Sequence, residues 1–318
     1  MKNFQVYKKT LPFSLVEFLV SLAALFILAG LCSAGFFLFS KQMDHALIGL
    51  GVGFIIGIVV VILINIFISN RIKAAQIAMM TKGVTEDTLP DHTFKEGFYE
   101  IKGRFGKITA FFFITNAIKG IFRQIGRGIN KIGTAVGGDA GNAVTSAIDS
   151  AIQTLIGYLC DCCLGWILYR KDESAAKAGC EGAVIFFKHG KTLIRNVGRI
   201  FGMGFLSLLL IGGAFFGIFY LVFTQFPNMF VALANEITKL GGDIPQFLTD
   251  PTILTVVVAA IAGIVLWSTI HGVLIRPFIL VGVLRNFMAA GQKDIPSEAD
   301  FKELDSRSPK FAKLHGSI

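Results

Sequence analysis

Residues 46–69 read ALIGLGVGFIIGIVVVILINIFIS, and this stretch decides the fold: it has no charged side chain in 24 positions. As a helix it reaches about 36 Å, enough to cross a hydrocarbon core of about 30 Å. Lipid offers the backbone no hydrogen-bond partners, so a spanning segment must satisfy its own, and a helix does so. Working outward, residues 13–39, 200–223 and 252–275 are each 24 or more residues long and apolar in the same way. The expected fold class is all-α: a polytopic helical membrane protein with four transmembrane helices, supplemented by amphipathic interfacial helices.

Composition agrees. Of 318 residues 53% are hydrophobic and 16% charged, Phe occurs 31 times, and the mean hydropathy is +0.67. Soluble domains of this size have a different balance. Five cysteines in so long a chain do not describe a secreted disulfide scaffold. The basic N-terminal arm leads into an apolar run longer than a signal-peptide core, which predicts an uncleaved first span.

The net charge of +9 raises the question of nucleic acid, and its distribution answers it. Residues 71–199 hold 18 Lys+Arg against 11 Asp+Glu, and Lys2, Lys8 and Lys9 add to the N-terminal arm. The 41–45 turn holds one Lys and one Asp, and the 225–251 loop sets Lys239 against Glu236, Asp243 and Asp250. The positive-inside rule then places both termini and 71–199 in the cytoplasm, in a plasma or inner membrane. The excess charge reads as topology and attraction to anionic headgroups, with no nucleic-acid partner.

Five segments follow: an N-terminal transmembrane hairpin (1–70), a cytoplasmic connector (71–104), amphipathic helices (105–199), a C-terminal transmembrane core (200–290) and a polar, mobile tail (291–318). Gly49, Gly53 and Gly57 recur every four residues in the second span. Such a small-residue ridge lets another helix approach, either within the chain or in a homo-oligomer. In 105–132, Phe105, Ile108, Phe112, Ile118, Phe122, Ile125, Ile129 and Ile132 form an apolar stripe beside Lys119, Arg123, Arg127 and Lys131. That pattern predicts a helix lying among headgroups, with crossing by 105–123 as the alternative. After a Gly-rich break at 133–141, residues 147–169 are apolar but carry Asp149, Asp161, Cys160, Cys162 and Cys163. They predict a second interfacial or re-entrant helix. Residues 174–199 predict a juxtamembrane helix, and Pro277 a bend beyond the fourth span.

From residue 105 onward, several short motifs occur in a telling order. Phe105-Gly106-Lys107 opens an Ile/Phe-rich segment, and Cys160-Asp161-Cys162-Cys163 precedes Tyr169-Arg170. Ala176, Gly179 and Cys180 come next, then Leu193-Ile194-Arg195-Asn196-Val197-Gly198-Arg199, and later Ile279-Leu280-Val281-Gly282-Val283-Leu284-Arg285-Asn286. In this order, residues 105–290 resemble the C-terminal half of the choline transporter-like family. The resemblance implies a helical transporter core and a small organic cation as ligand. Two features depart from the family: its large external loop is missing here, and Arg276 stands where an acidic residue is expected.

Ionisable and polar groups inside spans are the candidate substrate-binding residues: Glu17, Asn65, Trp267, His271 and Arg276. Each also has a structural reading. Glu17 lies near a span end, Asn65 can bond between helices, Trp267 suits the interface, and Arg276 can reach headgroups. His271 would be pH-sensitive if it lined a cavity. Cys160 and Cys163 have the Cys-x-x-Cys spacing of a zinc site, but the second pair, Cys180 and His189, is too loosely spaced, so no metal is expected. Palmitoylation or small apolar packing suits these cysteines better. No phosphate-binding loop, nucleophile elbow or metalloprotease motif occurs, which predicts a non-enzyme without cofactors. The leading expectation is a transporter-like protein passing a small organic cation. The alternative is a non-transporting scaffold or oligomeric pore that binds anionic lipid. A membrane anchor for a soluble partner is a third.

Overall fold

The computed structural model describes residues 1–317 except 43–45, 131–139, 195–196, 240–244 and 246–248. It is 89% helical, without strands among those residues. In chain order the helices are α1 (Asn3–Gln42), α2 (Ala46–Ile64), α3 (Asn70–Thr85), α4 (Thr93–Lys102), α5 (Phe105–Asn130), α6 (Ala140–Tyr169) and α7 (Ala175–Ile194). Then follow α8 (Val197–Ser207), α9 (Gly213–Phe223), α10 (Pro227–Lys239), α11 (Pro251–Ile270), α12 (Arg276–Lys293), α13 (Glu298–Arg307) and α14 (Pro309–His315). π-helical turns at Asn65–Ser69, Leu208–Gly212 and His271–Ile275 join α2 to α3, α8 to α9 and α11 to α12.

Among the described residues four helices are long and apolar enough to cross a membrane: Asn3–Phe39, Ile48–Thr85, Ile200–Phe223 and Pro251–Lys293. Only 6%, 11%, 11% and 22% of their most apolar windows is buried by protein. Phe26, Ile55, Leu210 and Leu221 are each more than 60% exposed. Apolar surface on this scale is costly in water and favourable in lipid. The chain is therefore an all-α integral membrane protein.

The chain divides into two compact units. The membrane unit comprises Leu15–Asn70 and Met203–Ile275. Its hairpin of α1 and α2 closes on the glycine ridge. A Cβ on Gly49 would strike the Gly35 carbonyl, one on Gly53 the Leu31 carbonyl, and one on Gly57 the Leu28 side chain. The ridge is thus filled by α1 of the same chain, which is the intrachain alternative. The helix α9 packs along α11, where Gly263 lets the Phe216 backbone approach, with its nitrogen 2.9 Å from a would-be Cβ. Asp250 caps α11 by accepting from the Thr252 and Ile253 backbone N–H groups at 2.7 and 3.2 Å, with Pro251 in the first turn. Part of the 225–251 loop is helical. Phe230 and Ala234 of α10 are buried against Leu254.

The second unit comprises Met1–Ser14, Arg71–Gly202 and Arg276–Ile318. Its centre is α6, packed by α5, α7 and α12. Leu159, Cys162, Cys163 and Trp166 are fully enclosed. Glycines set the close approaches: Gly182 faces the Cys163 sulfur and Gly291 faces the Trp166 ring, each 2.6 Å from a would-be Cβ. Arg104 donates to the Leu168 carbonyl at 2.7 Å and Lys107 to those of Lys171 and Glu173 at 2.5 and 2.7 Å. These cations hold carbonyls at and just beyond the C-terminal end of α6, where the helix dipole favours positive charge.

This unit corrects several expectations. Within 147–169, where an interfacial or re-entrant helix was expected, residues 155–168 are packed among protein side chains, with Leu159, Cys162, Cys163 and Trp166 at 0% exposure. Part of the α5 stripe is covered by protein: Ile108, Ile118 and Phe122 are buried in a helix packed by α6, α7 and α14, Phe112 is half-buried, and the Phe105, Ile125 and Ile129 side chains and Ile132 lie outside the described residues. The 71–104 connector is largely helical, and α3 buries Ile72, Ile77, Met79 and Met80. Gln76 ties α3 to the start of α1 through the Thr10 carbonyl and the Ser14 hydroxyl, at 3.3 and 2.8 Å. The tail is folded. Ser297 and Asp300 bond reciprocally at the start of α13, and Phe301, Leu304 and Phe311 are buried. Helical bonding continues past Pro277, with a π turn at His271–Ile275 directly before α12.

Candidate functional site

The five predicted substrate residues do not form one site. Trp267 and His271, one turn apart on the fourth span, do meet: their rings lie 5.3 Å apart and tilted by 38°. Trp267 Nε1 donates to Ser207 Oγ at 3.1 Å, and that hydroxyl donates to the Gly204 carbonyl at 2.7 Å. Ser207 and His271 border the π turns of their two helices, a local widening often found where helices are interrupted for function. Glu17 is half-buried on α1, and Asn65, at the start of the first π turn, is exposed and outside this pair.

Arg276 belongs to the other unit. Its NH2 donates to Asp161 Oδ2 at 2.8 Å, while Lys73 Nζ lies 2.7 Å from Asp161 Oδ1. Asp161 is almost fully enclosed on α6, with 8% of its side chain exposed, whereas Lys73 and Arg276 keep 31% and 34%. Burial alone would raise the Asp161 carboxyl; the two cations outweigh it and hold the group below the usual carboxylate range. The Arg276 guanidinium also lies over the Tyr158 ring, 5.4 Å from its centroid. It rests beside Gly157, where a Cβ would come within 3.3 Å. Tyr158 is 2% exposed, and its hydroxyl has no hydrogen-bond partner among the described residues. Burial pushes that hydroxyl up to about 12.

A second buried carboxylate, Glu181 of α7, accepts from Trp166 Nε1 at 2.7 Å and from Arg170 at 3.1 and 3.2 Å. This network pins α6 to α7. The hydrogen bond to Glu181 holds the Arg170 guanidinium above its ordinary value.

Of the predicted basic stripe, Lys119 is half-buried and Arg123 is exposed, with its Nε bonded to Gln153 at 3.0 Å. The Arg127 side chain and Lys131 lie outside the described residues. The Lys310 side chain of α14 covers Gly120, 3.3 Å from a would-be Cβ, so a third cation joins Lys119 and Arg123. Cys160, Cys162, Cys163 and Cys180 are buried, which removes the access that palmitoylation needs and leaves packing as their role. Burial raises the Cys160 and Cys180 thiols to about 12 and lifts Cys162 and Cys163 well above their ordinary value.

Sequence reasoning missed Lys73, Tyr158 and Ser207, and took Asp161 only as an interruption in an apolar run. The one available signal was Asp161 itself, a lone carboxylate in an apolar helix, which requires a cationic partner. No family model matches the chain, and neither a curated protein nor a solved structure shows significant similarity to it.

Proposed function

We propose that this membrane protein is a non-enzymatic scaffold whose helical unit meets an anionic lipid surface by charge rather than by insertion. One observation carries the reading: Ile108, Ile118 and Phe122 of α5 are used up in the core, while Lys119 and Arg123, joined by Lys310 of α14, remain on the outer side. Attraction of about 1 kcal/mol per basic residue near an anionic surface makes such a patch sufficient for association. The topology in this reading is four crossings with both termini and the helical unit in the cytoplasm, beside the anionic leaflet.

A spin label at the exposed Asn116 of α5, on full-length protein in nanodiscs, tests it. Replacing phosphatidylcholine by phosphatidylglycerol should immobilise the label, and 0.5 M salt should reverse the effect by screening, roughly as expected for a Debye length of a few ångströms. Identical spectra in both lipids would refute it.

The second reading keeps the choline transporter-like resemblance and the passage of a small organic cation. It is favoured by the Trp267–His271–Ser207 contacts between two π turns. Saturable choline uptake by proteoliposomes, lost in Trp267→Ala, would establish it in place of the scaffold.

A further inference from the structure

The sequence predicts interfacial helices within 105–199; a helix of that construction stands elsewhere, at α10, between the third and fourth spans. Its 13 residues reach about 20 Å, too short to cross a bilayer. It begins close to the end of α9. The Thr224, Gln225 and Phe226 backbone N–H groups donate to the Tyr220, Val222 and Phe223 carbonyls at 3.0, 3.1 and 3.0 Å, so the turn satisfies its own donors. One face of α10 is buried: Phe230 and Ala234 lie on Leu254, with Phe223, Leu233, Ile237 and Val258 packed against the same cluster. Phe223 is the last residue of α9, and Leu254 and Val258 lie in the first two turns of α11. The contact therefore sits within about 10 Å of the ends of both spans, the depth at which headgroups give way to acyl chains.

The flanks of the buried face are apolar and uncovered. Phe226, Met229 and Val231 are 58%, 50% and 44% exposed, and they follow directly on the exposed Leu221 and Val222 of α9. At 100° per residue, Asn228 and Asn235, both exposed, share the face opposite Phe230 and Ile237, while Met229 and Val231 fall on either side between the two faces. Glu236 and Lys239 are the charged residues of α10, one of each sign, so its attraction to a bilayer is apolar and indifferent to headgroup charge.

We propose that α10 is an interfacial helix, with Phe226, Met229 and Val231 immersed among the acyl carbons nearest the headgroups and Asn228 and Asn235 turned to water. The partner is the acyl region of phospholipids with any headgroup, unlike the charge-driven contact at α5. The proposal holds whichever leaflet meets this end of the spans, so it stands apart from the scaffold reading.

Spin labels placed one at a time at Leu221, Phe226, Asn228, Met229, Val231 and Asn235 of full-length protein in nanodiscs test it. All six side chains are exposed, so labelling leaves the packed face intact. Labels at Leu221, Phe226, Met229 and Val231 should collide more readily with oxygen than with a water-soluble nickel chelate, and those at Asn228 and Asn235 should show the reverse. Replacing phosphatidylcholine by phosphatidylglycerol, or adding about 0.5 M salt to screen charge, should leave every ratio unchanged. Nickel-dominated collisions at Phe226, Met229 and Val231, with oxygen still dominant at Leu221, would overturn the proposal by placing α10 in water. Protection of Met229 and Val231 from both reagents would overturn it in favour of a second copy of the chain covering them. Oxygen dominance at Asn228 and Asn235 equal to that at Leu221, or ratios that follow headgroup charge, would also overturn it.

Discussion

Adding one methyl group to Gly53 should loosen the first hairpin. The new Cβ would strike the Leu31 carbonyl oxygen and lie 2.9 Å from its carbon and 3.0 Å from the Cys32 Cα. These are backbone atoms and cannot rotate away, so α1 and α2 must part by on the order of 1 Å. A gap of that size forfeits a quarter to a half of each dispersion contact across it. The Gly35–Gly49 and Leu28–Gly57 contacts lie on the same seam, and the expected loss is about 1–3 kcal/mol. Gly51, two residues away, has nothing within 4 Å of its would-be Cβ. Gly51→Ala should therefore show only the helix-propensity gain of about 0.5–1 kcal/mol. The propensity gain is common to both variants, so they should differ by the packing loss, about 1–3 kcal/mol, in a mixed-micelle denaturant titration followed by circular dichroism. Particle mass in mild detergent should be unchanged by Gly53→Ala, because the ridge faces the chain's own first helix. Equal stability of the two variants, or a halved mass with unaltered stability, would refute the reasoning.

Two further predictions concern the helical unit. Cys160, Cys162, Cys163 and Cys180 should resist a maleimide at pH 8 in the native protein and react after unfolding, as read by peptide mass spectrometry; burial both encloses them and keeps them as thiols. The docking of α13 should weaken in acid. Hydrogen bonding from the Ser297 backbone and the Lys188 ammonium lowers Asp300 from 3.8 to about 2, and Lys188 bridges Asp300 and Asp294 at 2.9 and 2.7 Å. A depressed carboxyl contributes stability that is complete above pH 3.8 and lost as pH falls towards 2, so amide exchange in α13 should accelerate only within that window. Protection that is already lost at pH 5 would contradict the assignment.

The membrane helices were legible because lipid imposes its demand on every residue: 24 uncharged positions leave no other reading. The helical unit was not. The α5 stripe of Ile108, Ile118 and Phe122 announces an apolar face, but periodicity does not say whether lipid or protein covers it. Its cover comes from α6, α7 and α14, and the last of these begins at Pro309, in a tail whose low hydropathy concealed Phe301 and Phe311. The Trp267–His271 pair was visible as an i, i+4 spacing, whereas its partner Ser207 is on another helix. Lys73, Asp161 and Arg276 are far apart in sequence and meet only through the packing of three helices. The spacing of Gly49, Gly53 and Gly57 was visible in the sequence, whereas the helix that lies against them was not; the backbone carbonyl of Leu31 approaches Gly53.

The account's central proposal is that one unit is dissolved in lipid and the other faces water. Site-directed spin labels on full-length protein in nanodiscs test it directly, at Phe26, Ile55 and Leu221 of the membrane unit and at Tyr99 and Ile295 of the helical unit, all exposed in the isolated chain. The first three should collide more readily with oxygen than with a water-soluble nickel chelate, and the last two should show the reverse. Nickel-dominated collisions at Phe26 and Ile55, or the same oxygen preference at all five positions, would contradict it.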